Sequence, residues 1–270
     1  METNENILHL HVLASGSKGN CSIVENTATG RAIMIDCGVT KRDFFARCEA
    51  LSLDPASIEA ILITHEHTDH TKGLGVVTRG LAKVGLHPTL FVSDKVRAAS
   101  TQIQAIEETM DMRAMNCGDD LSIAGMSVHV FPTSHDAAES FGFRFDNAGD
   151  SVGFMTDTGT VTGAAHEALQ NVRVLGLESN HDPFMLKYGD YPYSLKQRIA
   201  SDRGHLSNEQ AGDELRSLLS NRLQTVIALH ISENNNTYDL PEKTFAEVLS
   251  QECHPAHALV GKQRTPVDAL

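Results

Sequence analysis

The stretch THEHTDH, residues 64–70, decides the fold, and it stands at the end of the apolar run Ile58–Thr64. It contains four potential metal ligands, His65, His67, Asp69 and His70. Successive side chains of a regular strand point to opposite faces, so these four converge only in a tight loop at a strand end. His65 and His67 then turn to the same side, while Asp69 and His70 project towards a second ion. The stretch therefore predicts a two-metal site.

The ligand types indicate which metals fit this site. Imidazoles combined with carboxylates suit zinc, and they also admit manganese or iron. A solvated polar turn is the alternative interpretation, but the HxHxDH pattern directly after a buried-looking strand favours a metal centre. The apolar spacing that follows predicts a helix over Asp69–Lys83, and a second helix is predicted over Asp94–Glu108.

The composition is that of a globular protein. The chain has 270 residues, of which 41% are hydrophobic and 21% charged, and this length accommodates a compact α/β enzyme with a sizeable core. The formal net charge of −13 argues against a generally basic nucleic-acid-binding surface. A local basic surface stays open, because bound metal would neutralise several of the carboxylates.

Sequence features also predict where the protein works. The segment Met1–Ala14 has no positive N-terminal region and only a short apolar run, so we expect no signal peptide. No apolar stretch approaches the length that spans a membrane. The five cysteines are scattered without CxxC spacing, which is typical of reduced thiols. We therefore expect a cytoplasmic protein.

Further motifs along the chain resemble one protein family. They are LASGSKGNC (13–21), IDCG (35–38), ITHEHTDHTKG (63–73), SHDAAESFGF (134–143), TDTG (156–159), ESNHD (178–182), RGHLSNEQA (203–211) and LHISENNN (229–236). Together they resemble the metallo-β-lactamase superfamily, and within it the YycJ/WalJ group of bacterial hydrolases. The resemblance implies an α/β (α+β) fold, the four-layer αββα sandwich, with the site at the sheet edge. It also implies a single domain over residues 1–270, because the intervals between motifs leave no room for a large inserted nuclease domain.

The same resemblance implies a role for each histidine and aspartate of the candidate site. His65, His67 and His135 would hold the first ion, and a second set would hold the second ion: Asp69, His70, Asp157 and His230. Asp157 would bridge both ions. Asp36 would orient the histidine loop by hydrogen bonds without binding metal itself. Members that open β-lactams usually lack the bridging carboxylate, so Asp157 favours a phosphodiesterase, thioesterase or lactonase.

Four other residues are candidates for substrate contact or proton transfer. Ser207 and Gln210 form a predicted capping box, which places His205 just before a helix N-terminus, where it can approach a phosphate and protonate a leaving oxygen. The loop with Ser17 and Lys18 resembles a phosphate cradle in composition but lacks P-loop spacing. A flexible turn is the alternative for that loop, and for His181 no spacing rule assigns a role.

The sequence thus predicts a dinuclear metal phosphodiesterase. Asp69 and Asp157 would hold the ions and orient the nucleophile, and His205 would act as the acid. The YycJ/WalJ resemblance implies a 5′-to-3′ exodeoxyribonuclease linked to DNA mismatch repair, with DNA as substrate. A thioester or lactone hydrolase of the glyoxalase II kind on the same site is the alternative enzyme. A metal-binding regulatory module is a third hypothesis, but no accompanying flavin domain is visible.

Overall fold

Two seven-stranded sheets form the centre of the molecule in the computed structural model, which describes residues 7–269. The first sheet has the order β14-β1-β2-β3-β4-β5-β6. Its strands are β1 (Leu8–Ala14), β2 (Cys21–Asn26), β3 (Arg31–Ile35), β4 (Ile58–Leu62), β5 (Thr89–Val92), β6 (Met112–Ala114) and β14 (Val267–Ala269). The hairpins β1–β2 and β2–β3 are antiparallel, whereas β3 to β6 run parallel.

The second sheet has the order β13-β12-β11-β10-β9-β8-β7. Its strands are β7 (Asp120–Ile123), β8 (Met126–Pro132), β9 (Phe141–Asn147), β10 (Asp150–Met155), β11 (Val174–Glu178), β12 (Thr225–Leu229) and β13 (His257–Val260). A meander of antiparallel strands, β7 to β10, is followed by parallel strands from β10 to β13.

Within residues 7–269, ten α-helices flank the two sheets. They are α1 (Lys41–Ala50), α2 (Thr68–Thr71), α3 (Leu74–Ala82), α4 (Asp94–Ala99), α5 (Thr101–Gln104), α6 (Gly163–Leu169), α7 (Pro183–Tyr188), α8 (Tyr193–Ile199), α9 (Asn208–Leu218) and α10 (Asp239–Gln251). Within residues 7–269 no helix is both long and apolar enough to cross a membrane. Residues 1–6 of the Met1–Ala14 prediction lie outside the described part of the chain.

Side-chain alternation assigns each sheet face to a layer. Phe154 packs in the core between the sheets, and its neighbour Met155 packs in the outer core with α6, α9 and α10. On β12, Ile227 belongs to the inner core and Ala228 to the outer one. Because successive strand residues point to opposite faces, both faces of the second sheet are buried. The predicted αββα sandwich is confirmed.

Two predicted helices are each broken in the structure. The helix predicted over Asp69–Lys83 is instead α2 and α3, separated at Gly73. There the Asp69 carbonyl accepts from the Asn20 N–H at 2.8 Å, and the Gly73 N–H donates to the Cys37 carbonyl at 2.8 Å. These tertiary bonds replace the helical one between Gly73 and Asp69. A Cβ at position 73 would lie 2.0 Å from the Val39 carbonyl oxygen, so only glycine fits.

The helix predicted over Asp94–Glu108 is likewise wrong as one element. Ser93 caps α4, but Ser100 adopts an extended backbone and ends it. The Ser100 hydroxyl then accepts from the Ile103 N–H and begins α5. A 3-10 turn over Glu107–Thr109 follows. Serine competes for backbone bonds in this way, which is why it favours caps over helix interiors.

Candidate metal centre

The candidate site lies where the carboxyl ends of strands from both sheets meet. Asp36 follows β3, and the loop of residues 64–70 follows β4. From the second sheet, His135 follows β8, Asp157 follows β10 and His230 follows β12. The sandwich brings these five segments, far apart in sequence, to one edge.

Three of the site residues have left-handed backbone conformations. The φ angles are 58° at Asp36, 54° at Asp157 and 56° at His230. Such angles cost a non-glycine residue roughly 1–2 kcal/mol. Each of these residues stands one or two positions beyond the end of a buried strand, so the strand's packing can hold the strained turn in place. Strain of this kind concentrates at functional sites.

The first group of potential ligands is histidine alone. His65, His67 and His135 each place a ring nitrogen within 4.8 Å of the other two. His135 Nε2 lies 3.3 Å from His67 Nδ1, and the other His135 nitrogen, Nδ1, donates to the Gly204 carbonyl at 3.0 Å. The Nδ1 of His65 lies 3.0 Å from the Thr64 hydroxyl. Neighbouring polar groups therefore hold two of the rings and leave one nitrogen of each towards the group.

The second group mixes carboxylates and histidines. Asp69, His70 and His230 form one triplet, and Asp157 lies close to both groups. Asp157 Oδ2 is 3.3 Å from His70 Nε2, and its Oδ1 is 3.7 Å from His135 Nε2. Asp69 Oδ2 is 3.5 Å from His70 Nε2 and 3.6 Å from His230 Nε2. The arrangement could hold two ions with Asp157 between them.

Asp36 is buried behind His70. Its Oδ2 accepts from His70 Nδ1 at 2.7 Å and from the Thr64 hydroxyl at 2.8 Å, and its Oδ1 accepts from the Thr64 N–H at 2.8 Å. These bonds fix the ring so that His70 Nε2 faces the cluster. Asp36 thus contacts the ring of His70 from behind and belongs to none of the ligand groups.

Glu178 is a site residue that the sequence analysis missed. Its fully buried Oε1 lies 2.9 Å from Nδ1 of His205 and 2.9 Å from Nδ1 of His230. It also accepts N–H bonds at both oxygens, from Asp157, from Leu206 and from Thr158. The signal was present: the fully buried strand VLGLE ends on a carboxylate. A buried carboxylate of this kind needs hydrogen-bond partners. Here those partners include His205 and His230 of the candidate site.

Three buried atoms of the cluster have no hydrogen-bond partner. They are His65 Nε2, His230 Nε2 and Asp157 Oδ2. A buried polar atom without a partner costs about 1–3 kcal/mol, so three together in one place need an explanation. All three are lone-pair atoms of types that ligate divalent metals. The residues present therefore fit a divalent metal centre.

The electrostatics of the cluster agree with this fit. Burial alone would lower the pKa of His70, but the carboxylates of Asp157 and Asp36 outweigh it and raise that pKa to about 9. The pKa of Asp157 stays below its usual range because His230 and His70 outweigh the effect of burial. The same balance lowers the pKa of Asp69. The carboxylates thus stay ionised, and a bound cation would take the place of the imidazole protons.

Comparison with known proteins now identifies the family. A family model described as "Beta-lactamase superfamily domain" matches residues 31–231, most of the chain. The chain belongs to this superfamily. It is 32% identical to exodeoxyribonuclease YycJ of Bacillus anthracis, over 91% of the chain and 90% of that protein. It is 31% identical to exodeoxyribonuclease WalJ of Streptococcus pneumoniae, over 89% and 87%.

A solved structure of the superfamily agrees in fold. The metallo-β-lactamase-fold protein YhfI of Bacillus subtilis matches with a TM-score of 0.71 and 14% identity, over 97% of this chain and 99% of that one. The protein is thus a metallo-β-lactamase-fold hydrolase with a His/Asp cluster suited to divalent metals.

His205 occupies the open side of this hydrolase's site. It precedes α9, whose N-terminus carries the predicted capping box of Ser207 and Gln210. Glu178 accepts from His205 Nδ1, which leaves Nε2 for the cleft that the residue lines. The ring is only partly buried, unlike those of the cluster. This arrangement can present one nitrogen to a substrate atom.

Of the other residues predicted to contact substrate, Ser17 lies at the cleft, whereas Lys18 and His181 do not line it. Ser17 lines the cleft, which has a volume of about 220 Å³. Lys18 is exposed, and its Nζ pairs with Glu233 at 2.7 Å. His181 is buried and lines a neighbouring cavity instead of the cleft. Burial lowers the pKa of His181 to about 4, so the ring is neutral at physiological pH.

Further residues line the cleft, among them Asn180, Tyr191 and Arg198. Asn180 donates to the His230 carbonyl at 2.7 Å and so braces that ligand candidate. Arg198 lines the cleft from α8, and Tyr191 from the segment just before that helix. Arg198 pairs with Asp136, the residue after His135. No spacing in the sequence ties these residues to the cluster, because the contacts cross between segments.

Proposed function

We propose that this hydrolase is a dinuclear metal-dependent phosphodiesterase that removes nucleotides from the 5′ end of DNA. The observation that carries the proposal is Asp157, which stands between two separate ligand groups and keeps one buried oxygen without a partner. A bridging carboxylate between two ions is suited to displacement at phosphorus. The relatives named exodeoxyribonucleases support DNA as the substrate.

Each ion has its own ligand set in this proposal. His65, His67 and His135 would hold the first ion, and Asp69, His70 and His230 would hold the second, with Asp157 available to both. Zinc suits these ligands best, and manganese or iron would also fit. When bound, such ions lower the pKa of water and neutralise phosphate charge. The chain's own contribution is the set of bonds from Asp36 and Glu178 that orient the rings.

His205 supplies the proton in this account. Because Glu178 accepts the Nδ1–H, Nε2 is the nitrogen offered to the substrate. From there it donates to the oxygen that leaves when the phosphodiester bond breaks. An alkoxide leaving group needs that proton, whereas the thiolate of a thioester leaves unaided. The placement of His205 thus favours a phosphodiester over the thioester alternative.

The cleft also contains groups for holding phosphate. Ser17 and Arg198 both line it, one from the loop after β1 and the other from α8. The side chain of Arg198 is about half exposed, so it remains accessible while it pairs with Asp136.

The state of the cysteines supports a cytoplasmic location. All five lie within the described residues, and each is a free thiol, as is usual in a reducing compartment.

The test is a degradation assay with metal-loaded protein. Linear DNA labelled separately at each 5′ and 3′ end is incubated beside bis-p-nitrophenyl phosphate, a thioester and a lactone. We expect stepwise loss from the 5′ end that stops when a chelator is added. Turnover of the thioester or lactone with intact DNA would overturn the substrate assignment and leave the metal centre standing.

His205→Gln tests the acid. We expect its rate on DNA to fall by roughly 10²- to 10⁴-fold, the contribution of a general acid, with metal content unchanged. His87→Gln is the matched control, since His87 is exposed in the loop before β5. Equal loss of metal and activity in His205→Gln would make His205 a ligand or a structural residue instead.

A further inference from the structure

Beside the cleft, one segment carries all the strongly exposed aromatic rings of the described chain. Phe184 is 69% exposed, Tyr188 63% and Tyr193 77%. The other large exposed apolar residues within residues 7–269 are two valines, Val76 and Val84. Phe184 and Tyr188 belong to α7, and Tyr193 begins α8. Exposed rings concentrated in one short segment mark an interaction surface.

The rings are arranged as flat surfaces with a cation beside them. Phe184 and Tyr188 stand one helical turn apart, with ring centroids 4.4 Å from each other. The ammonium of Lys187 lies 5.2 Å from the Tyr188 ring centroid. We call Phe184, Tyr188, Tyr193 and Lys187 the aromatic platform. Aromatic rings with a neighbouring cation are the groups on which nucleic-acid bases stack.

Helix α8 connects the platform to the cleft. One face of the helix, with Tyr193 and Lys196, lines an apolar cavity of about 220 Å³ that α7 closes with Pro183 and Leu186. The opposite face, with Leu195 and Arg198, lines the cleft. A helix is about 10 Å across with its side chains. A chain molecule that crosses α8 therefore reaches both surfaces within a few monomers.

We propose that the aromatic platform binds unpaired bases of the DNA strand whose phosphodiester enters the cleft. The inference rests on the proposed function and adds how the strand is held. Bases stack on Phe184, Tyr188 and Tyr193, and one base enters the apolar cavity beside α8. The backbone passes over the helix towards Arg198 and the cluster.

Charge explains why stacking carries the binding. Non-specific binding to DNA is normally phosphate neutralisation by lysine and arginine, but this chain has a net charge of −13. Several cations near the cleft are already engaged: Lys196 Nζ donates to the carbonyls of Lys187 and Gly189, and Arg203 donates to the His135 carbonyl. Base stacking needs no such cations, and it accepts every sequence because each base has a flat face.

The binding test uses metal-loaded protein and a phosphorothioate oligothymidylate that resists hydrolysis, labelled at its 3′ end. Fluorescence anisotropy gives Kd for the wild type, for each serine variant of Phe184, Tyr188 and Tyr193, and for the triple variant. We expect a loss of roughly 5- to 100-fold for each single change and a larger loss for the triple. Val84→Ser is the matched control, because Val84 is 68% exposed and distant from the cleft in sequence.

Salt dependence separates stacking from charge. We expect the aromatic variants to keep the wild-type slope of log Kd against log salt, while Lys187→Gln lowers its size by about 0.7, the value for one phosphate contact on a single strand. A Kd within twofold of wild type for the folded triple variant would overturn the proposal. So would a concentration-dependent dimer that the triple variant abolishes while Kd for DNA is unchanged, since the occupant is then a second copy.

Turnover distinguishes this inference from the proposed function. We expect the triple variant to raise KM for single-stranded DNA at least tenfold and to hydrolyse bis-p-nitrophenyl phosphate at the wild-type rate, which also shows that it is folded and metal-loaded. If the wild type cleaves DNA and the triple variant has an unchanged KM, only the platform fails. If the wild type cleaves no DNA, the proposed function fails. The Kd values from fluorescence anisotropy then test by themselves whether the aromatic platform binds DNA.

Discussion

Two buried polar clusters lie at opposite ends of the same strands, and they differ in whether all of their polar atoms are hydrogen-bonded. Asp150 begins β10 and Asp157 follows its other end. At the Asp150 end, Arg173 Nε donates to Asp150 Oδ1 at 2.7 Å, and Arg173 Nη2 donates to Oδ2 at 3.0 Å. The backbone N–H groups of Leu8 and Ser151 donate to the same carboxylate. Both of its oxygens have partners.

The Asp157 end is equally buried but incompletely bonded. Asp157 Oδ2, His65 Nε2 and His230 Nε2 make no hydrogen bonds, and the nearest charged atoms to Asp157 Oδ2 and His230 Nε2 belong to other residues of the cluster. The comparison teaches how to separate structural from functional polar burial. A cluster whose every atom is satisfied joins strands, since Asp150 and Arg173 connect β1 to β10 and β11. A buried cluster whose ligand-type atoms lack hydrogen bonds can bind a further group, such as a metal ion.

The largest effect is expected from Asp157→Ala. It removes the carboxylate shared by both ligand groups, so we expect metal content to fall and activity on DNA to drop by at least about 10³-fold, since metal ions contribute several kcal/mol to the barrier. Metal analysis beside the end-labelled assay measures both. Full metal content with full activity would show that the unpartnered oxygen has no such role.

Asp150→Asn should produce the reverse result. Breaking a buried ion pair costs about 3–5 kcal/mol, so the free energy of unfolding in urea should fall by that amount while the metal content per folded chain stays at the wild-type value. Arg216→Gln serves as a control, because Arg216 pairs with Asp213 and Glu252 on the exposed surface. Loss of metal in Asp150→Asn would mean that the two clusters are coupled.

Glu178→Gln tests the missed residue. The amide would place an NH₂ group where the carboxylate now accepts from His205, His230 and backbone N–H groups. Residues that orient ligands change metal affinity by about 10- to 100-fold, and we expect a loss of that size in a competition titration with a chelator. An unchanged metal affinity would show that Glu178 only stabilises the end of β11 and does not orient the metal ligands.

The smallest effect is a pH dependence confined to the satisfied cluster. Bonds from Arg173 and from the Leu8 and Ser151 N–H groups outweigh burial and hold the pKa of Asp150 below its usual 3.8. A lowered folded-state pKa contributes stability above the unfolded value that is lost as pH falls through the folded one. The stability gap between wild type and Asp150→Asn should therefore be constant above about pH 5 and shrink below 3.8. A gap that keeps its full size at every pH below 3.8 would contradict the ion pair.

The elements that the sequence predicted well are those with local signals. The Ser207/Gln210 capping box and the buried strand before the histidine loop each follow from a pattern within a few residues. The histidine and aspartate motifs also predicted which residues would converge. Local chemistry determines these features, so a single sequence suffices.

The remaining features depend on contacts between distant segments. The break at Gly73 arises because its N–H bonds to Cys37, and nothing in the helical pattern reveals that partner. The short edge strands β6 and β14 pair with β5 and β1 but have only three residues each, too few for a clear alternation. Glu178 was quoted within a motif, but its function as an acceptor for two histidines appears only in three dimensions.

The most direct test of the account is the number of divalent ions bound per chain. Wild-type protein is equilibrated with excess zinc or manganese, dialysed, and measured by inductively coupled plasma mass spectrometry beside Asp157→Ala and Asp150→Asn. The account predicts two ions per chain in the wild type and in Asp150→Asn, and fewer in Asp157→Ala. One ion or none in the wild type, or a loss confined to Asp150→Asn, would contradict it.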